Sequence, residues 1–171
     1  MKKIVVLLIL FLIPTTIFAY VDGYEISKYH VKIDVKENNV LNIREEITAD
    51  FEPYAYKHGI YRKIPIINEV ERADGSSYFN RVRISNIKIN NNHEDSYENN
   101  YLVMKIGSAS TTVSGEVKYI ISYSYNLGDD RTKKFDEFYF DIIGTEWDTT
   151  ISNVSFEINM PKSFDKSKLG F

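Results

Sequence analysis

The sequence predicts an all-β protein: an antiparallel β-sandwich, immunoglobulin-like in general architecture, behind an N-terminal signal helix. Three observations carry this. After Tyr20, apolar residues recur at every second position in run after run, which is the strand period. Gly23, Gly75, Gly107, Gly115, Gly128 and Gly144 fall between those runs, where turns belong. No amphipathic helical pattern follows the first nineteen residues. About seven short alternating strands at such spacing make a sandwich.

Residues 1–19 differ from the rest. Lys2 and Lys3 form a basic start, Ile4 to Ile13 is an unbroken apolar run, and Pro14 ends any helix before Thr15 to Ala19. That is the layout of a secretory signal peptide. Cleavage is placed after Ala19, with residues 20–171 as the exported, extracytoplasmic domain. A spanning helix needs about 20 apolar residues, whereas Pro14, Thr15 and Thr16 interrupt this run, and no second run of that length follows. No cysteine follows it either, which excludes a lipid anchor of the lipoprotein kind.

The strands follow in order. Tyr29, Val31, Ile33 and Val35 alternate with His30, Lys32, Asp34 and Lys36. Glu37-Asn38-Asn39 is turn chemistry. Leu41, Ile43, Ile47, Ala49 and Phe51 then alternate with Asn42, Arg44, Glu46, Thr48 and Asp50, completing a hairpin. A strand over 81–89 slips phase from Val82/Ile84 to Ile87/Ile89 across Ser85-Asn86, the sign of a β-bulge. Residues 90–100 read as an exposed polar loop, 101–106 as a short strand, and 107–115 as a hairpin loop. Val117, Tyr119, Ile121, Tyr123, Tyr125 and Leu127 form the cleanest apolar stripe. Residues 135–143 are mostly apolar and read as a central strand. Val154, Phe156, Ile158 and Met160 alternate with Ser155, Glu157 and Asn159. The predicted interior contains Val31, Ile33, Leu41, Ile43, Ile47, Ile121, Phe156 and Ile158. Beyond Pro161 the polar tail predicts loose packing beside an uncovered sheet edge or apolar patch.

Composition narrows the function. The chain has 171 residues and a net charge of −3; the part after Ala19 carries 19 basic and 24 acidic side chains, or −5. A mildly acidic domain does not attract phosphate backbones, so no nucleic acid partner is expected. The absence of cysteine excludes disulfides, thiol catalysis and thiolate metal sites. About 150 residues bury roughly two-thirds of their unfolded surface, enough for a core without staples.

Three motifs stand out. The first is Leu41-x-Ile43-x-Glu45-x-Ile47, followed by Phe51 and Gly59-Ile60-Tyr61-Arg62-Lys63-Ile64-Pro65. The second is Lys105-Ile106-Gly107, followed by Val113-Ser114-Gly115 and the Tyr119–Tyr125 stripe. The third is Asp136-Glu137-Phe138-Tyr139-Phe140-Asp141, followed by Gly144, Glu146-Trp147 and Ile151. In this order they resemble the N-terminal region of the bacterial predicted membrane proteins called domain of unknown function 2207, over about residues 21–171. The resemblance implies a signal peptide, an exported β-rich domain, then transmembrane helices and a cytoplasmic tail. This chain departs from the pattern by stopping at Phe171, as a fragment would, and by carrying Phe140-Asp141 where Trp-Asn is usual. The resemblance carries over no catalytic residues.

The chemistry-bearing residues have bland readings. His30, His58 and His93 form no zinc-type spacing. Asp136, Glu137, Asp141, Glu146 and Asp148 crowd around Trp147, which could serve glycan hydrolysis or Ca²⁺, although the calcium-loop pattern is absent. A solvated face with turn residues explains them as well. No nucleophile elbow accompanies the serines of 108–114. The expectation is therefore a non-enzymatic sensing or interaction module of the cell envelope, without metal or cofactor. Its partner would be an envelope component or the missing transmembrane portion of its own family architecture. The alternatives are an envelope glycan hydrolase and a purely structural element.

The sharpest expectation concerns Glu45. It shares phase with Leu41, Ile43, Ile47, Ala49 and Phe51, so its carboxylate points inward. A buried carboxylate needs a cation or several donors. Arg62, in the Gly59–Pro65 segment, is the predicted partner because its planar fork grips a carboxylate at two points; Glu137 is the alternative carboxylate for Arg62. Glu45, Gly59, Tyr61, Arg62, Pro65, Glu137 and Trp147 form the predicted structural motif, with Gly59–Pro65 a loop fixed on the sheet.

Overall fold

Alternating apolar runs have one apolar face each, and here they close on one another as two sheets. A computed structural model describes residues 23–71, 75–129, 138, 140–165 and 167. Its strands are β1 (Tyr24–Val35), β2 (Val40–Phe51), β3 (Gly59–Pro65), β4 (Ile67–Glu71), β5 (Ser77–Arg81), β6 (Arg83–Ile89), β7 (His93–Glu98), β8 (Tyr101–Gly107), β9 (Gly115–Asn126) and β10 (Val154–Asn159). A five-stranded sheet has the order β10-β1-β2-β9-β6, a three-stranded sheet the order β3-β8-β7, and β4-β5 is a separate ribbon. All pairs are antiparallel except β1 with β10. The signal segment Met1–Ala19 lies outside the described residues.

The large sheet is built on its two longest pairings. β2 runs antiparallel to β1 from Tyr24↔Phe51 to Val35↔Leu41 and to β9 from Val40↔Asn126 to Phe51↔Gly115. The buried side chains of these strands meet Ile60, Ile64, Leu102, Met104 and Ile106 of the small sheet in one core. At β6 the register shifts between Ser85 and Lys88, and Asn86 takes a left-handed φ of 56°. This is the bulge read from the slip in phase.

Val31, Ile33, Leu41, Ile43, Ile47 and Ile121 are buried as expected. Phe156 is not: it is 50% exposed, and Ile158 is only half-buried. Their register opposite Val31 and Ile33 puts them on the face those residues use. They share the core phase, but β10 is the margin of a five-stranded sheet packed on a three-stranded one, and among the described residues no strand covers its inner face. The expected loop at 90–100 contains an edge strand, β7, exposed at every position. Its polar side chains obscured it. Residues 107–115 are no hairpin loop, because β8 and β9 belong to different sheets; the segment crosses between them, with a bridge at Ser108↔Thr111. The Gly59–Pro65 segment is a strand rather than a loop, paired with β8 along its whole length. Of the expected central strand at 135–143, the described positions 138 and 140–143 are not in a strand. Phe138, Phe140, Ile142 and Ile143 instead pack against the core as an irregular strap.

Candidate functional site

The conspicuous chemistry of this domain is a charge inside its core. Glu45 lies mid-strand in β2, opposite Val31 on one side and Ile121 on the other. It is fully buried. Arg62 shares the phase of the buried Ile60 and Ile64 along β3, so it faces Glu45 from the opposing sheet. Its Nε donates to Glu45 Oε2 and its Nη2 to Oε1, both at 2.8 Å. This two-point grip is the geometry a guanidinium favours.

Two tyrosines complete the shell. Tyr29 and Tyr123 stand one diagonal step from Glu45 across its two neighbouring strands, within reach for long side chains. The Tyr29 hydroxyl donates to Oε2 at 2.8 Å and the Tyr123 hydroxyl to Oε1 at 2.7 Å. Each carboxylate oxygen therefore takes two donors. Arg62 Nη1 donates to the Lys63 carbonyl at 2.7 Å. The Arg62 guanidinium also lies 5.6 Å from the Trp147 ring centre, and Trp147 meets Tyr29 edge-on at 5.7 Å. The indole itself is held by its Nε1 donating to Ile143 O at 3.0 Å. The strap thus closes over the ion pair.

The electrostatics follow from this shell. Burial pushes the Glu45 carboxyl up, but the Arg62 charge and the hydrogen bonds from Arg62, Tyr123 and Tyr29 outweigh it, leaving it below the usual glutamate value. Burial opposes the charge on Arg62 as well, and the facing Glu45 reverses that, holding it firmly protonated. Burial first, then the Glu45 charge, pushes the Tyr29 and Tyr123 hydroxyls well up. The group is an ionised pair between two neutral phenols, saturated with donors.

The other predicted motif residues divide. Gly59 begins β3 opposite Gly107, with φ of 146° and 145°. A Cβ on Gly59 would sit 1.9 Å from Ile106 O, so only glycine allows the two strands to start this close. The Pro65 carbonyl accepts from the Tyr125 hydroxyl at 3.2 Å. Tyr61 points away from the core and is exposed. Glu137 lies outside the described residues. Sequence reasoning named Glu45, Arg62 and Trp147 but missed the roles of Tyr29 and Tyr123. The hairpin register plus a diagonal step would have found Tyr29.

The carboxylates around Trp147 have their own attachments. Asp141 Oδ1 accepts from the Gly144 amide at 3.0 Å. Glu146 accepts from the Tyr101 hydroxyl at 3.3 Å and stands 3.9 Å from Lys63 Nζ. Asp148 Oδ1 accepts from the Tyr24 hydroxyl at 3.1 Å. A cleft of about 610 Å³ opens beside the ion pair, with Arg62, Lys63, Asn68, Phe140, Asp141 and Glu146 among its walls.

A family model described as the predicted membrane protein (DUF2207) N-terminal domain matches residues 25–170. The chain belongs to this family. In this DUF2207 domain the ion pair joins the first and best-defined of the three motifs, and Trp147 brings in the third. No curated protein matches the chain. One solved structure similar to part of it is that of a candidate protease from Parabacteroides distasonis ATCC 8503, at 10% identity and a TM-score of 0.34. The match covers 64% of this chain and 24% of that protein, so this chain corresponds to about a quarter of its length. A likeness this loose carries no argument about the DUF2207 domain.

Proposed function

We propose that this domain is the extracytoplasmic, non-enzymatic sensing or interaction module of a membrane-anchored envelope protein, with the cleft beside Arg62 as its contact surface. The observation that carries this reading is the saturation of the ion pair. Glu45 and Arg62 hold the two sheets and the Trp147 strap together, and every Glu45 lone-pair direction faces a protein donor. Such a pair builds a rigid platform rather than a reacting centre. Membership in a predicted membrane protein family supports the location, as does the signal-like start of the sequence. The cleft offers mixed chemistry, with Lys63 and Asn68 near Phe140.

The test is retention. The full chain, immobilised, is exposed to solubilised envelope fractions alongside a Lys63→Glu/Asn68→Ala variant of unchanged melting temperature. Retention of a defined envelope component by the parent and its loss in the variant are expected. Equal retention by both, or none by either, refutes the reading. Glycan hydrolysis has one observation in its favour, since Asp141 and Glu146 line the same cleft. Release of sugars from envelope glycan, abolished by Asp141→Asn or Glu146→Gln, would replace the proposal.

A further inference from the structure

A second, smaller cavity lies away from that cleft, where the β8–β9 crossing folds back over the start of β3. Its volume is about 160 Å³, and His58, Asn91, Gly107, Ser108, Thr111 and Tyr119 are among its walls. Two of those side chains carry a buried polar atom with no hydrogen-bond partner among the described residues, Asn91 Oδ1 and the Tyr119 hydroxyl. Tyr119 is 1% exposed. Native proteins leave few buried polar atoms unsatisfied, because each costs about 1–3 kcal/mol. Both side chains belong to the walls of this one cavity, so its chemistry can be read from them.

Burial pushes the Tyr119 phenol up to about 12, so it is a neutral hydroxyl able to donate, while Asn91 Oδ1 accepts only. His58 adds to the set. Its Nδ1 lies 3.0 Å from both Ser108 O and Thr111 O. Two carbonyls require a proton on Nδ1. The two unpartnered atoms thus present one donor and one acceptor. A guest must accept from Tyr119 and donate to Asn91. A hydroxyl does both at once. An anion satisfies Tyr119 but is repelled by Asn91 Oδ1, and an apolar guest satisfies neither.

We infer that this cavity is a binding site for a neutral hydroxyl, bridging the Tyr119 hydroxyl and Asn91 Oδ1. The hydroxyl can belong to a bound water or to an arm of a polyol or sugar entering from the surface. The site lies apart from the cleft and does not depend on the interaction reading. The full chain is crystallised and its density read at a resolution that shows waters. An oxygen within hydrogen-bond distance of both atoms is expected, together with a fall in melting temperature of about 2–4 °C in Tyr119→Phe. Absence of density between the two atoms overturns the inference, and so does a Tyr119→Phe melting temperature unchanged or raised. If that variant does not fold, the density of the parent decides alone. Glycerol and methyl glucoside are then titrated while the amide resonances of residues 107–113 are followed. Saturable shifts confined there assign the site to a polyol or sugar; no shift with the oxygen still present assigns it to water. Displacement of that oxygen by inorganic phosphate would contradict the neutral guest.

Discussion

Arg62→Met separates a structural ion pair from a surface feature. Methionine keeps a flexible apolar stem against Trp147 but removes both bonds to Glu45 and the one to Lys63 O. Glu45 would remain fully buried with only Tyr29 and Tyr123 as donors. Removing one partner of a buried pair costs about 3–5 kcal/mol, mostly from the charge left behind. For a chain of this size each kcal/mol moves the melting temperature by about 2–4 °C, so a fall of about 6–20 °C is expected. Circular dichroism melting of the full chain at pH 7 reads it. Adding Glu45→Gln to Arg62→Met removes the stranded charge and should return part of the loss, because two hydroxyls can still bond the amide. A drop under about 2 °C for Arg62→Met refutes the argument. Intact stability with lost retention of an envelope component would make Arg62 a contact residue instead.

Acid should act oppositely on the parent and on Arg62→Met. In the parent Glu45 is held below its unfolded pKa, so its contribution is full above about pH 4.5 and disappears as pH falls through the folded value. Without Arg62, burial dominates and raises that value, so the variant's deficit should shrink as pH falls towards 4; melting curves between pH 3 and 7 check both signs. Gly59→Ala places a Cβ 1.9 Å from Ile106 O, and its melting temperature should fall by more than about 2–4 °C, where a strain-free site would gain stability. Ile33→Ala should cost about 2–5 kcal/mol by denaturant unfolding, whereas Phe156→Ala on the open margin should cost clearly less, despite the larger truncation. Equal losses would mean that β10 is covered.

Legibility in the sequence followed the physics of alternation. The β1–β2 hairpin, the long β9 stripe and the bulge at β6 each leave a local mark, because one face of each strand is buried. Glu45 was readable for the same reason: a carboxylate in an apolar phase demands a partner, and Arg62 was the nearby fork. What local pattern does not encode is which elements lie opposite one another. Phe156 has the phase of a core residue, and among the described residues it lacks only a facing strand. β7 buries no face, so His93–Glu98 shows no alternation and passed for a loop. The strap of 138 and 140–151 begins with apolar residues like a strand, yet its place is set by covering Arg62 through Trp147. The hydroxyl site depends on Asn91 and Tyr119, 28 positions apart and separated by a crossing between sheets, which no spacing rule joins.

The account rests on Glu45 being an ionised carboxylate deep in the core, gripped by Arg62 and two phenols. The direct measurement is the carbon-13 chemical shift of the Glu45 side-chain carboxyl in the full chain, followed by NMR from pH 7 down to the onset of acid unfolding. The account predicts an ionised shift throughout the neutral range and a titration below that of an ordinary glutamate, lost only as the fold gives way. A carboxyl already protonated at pH 6, or titrating at or above the ordinary value while the protein stays folded, would contradict it.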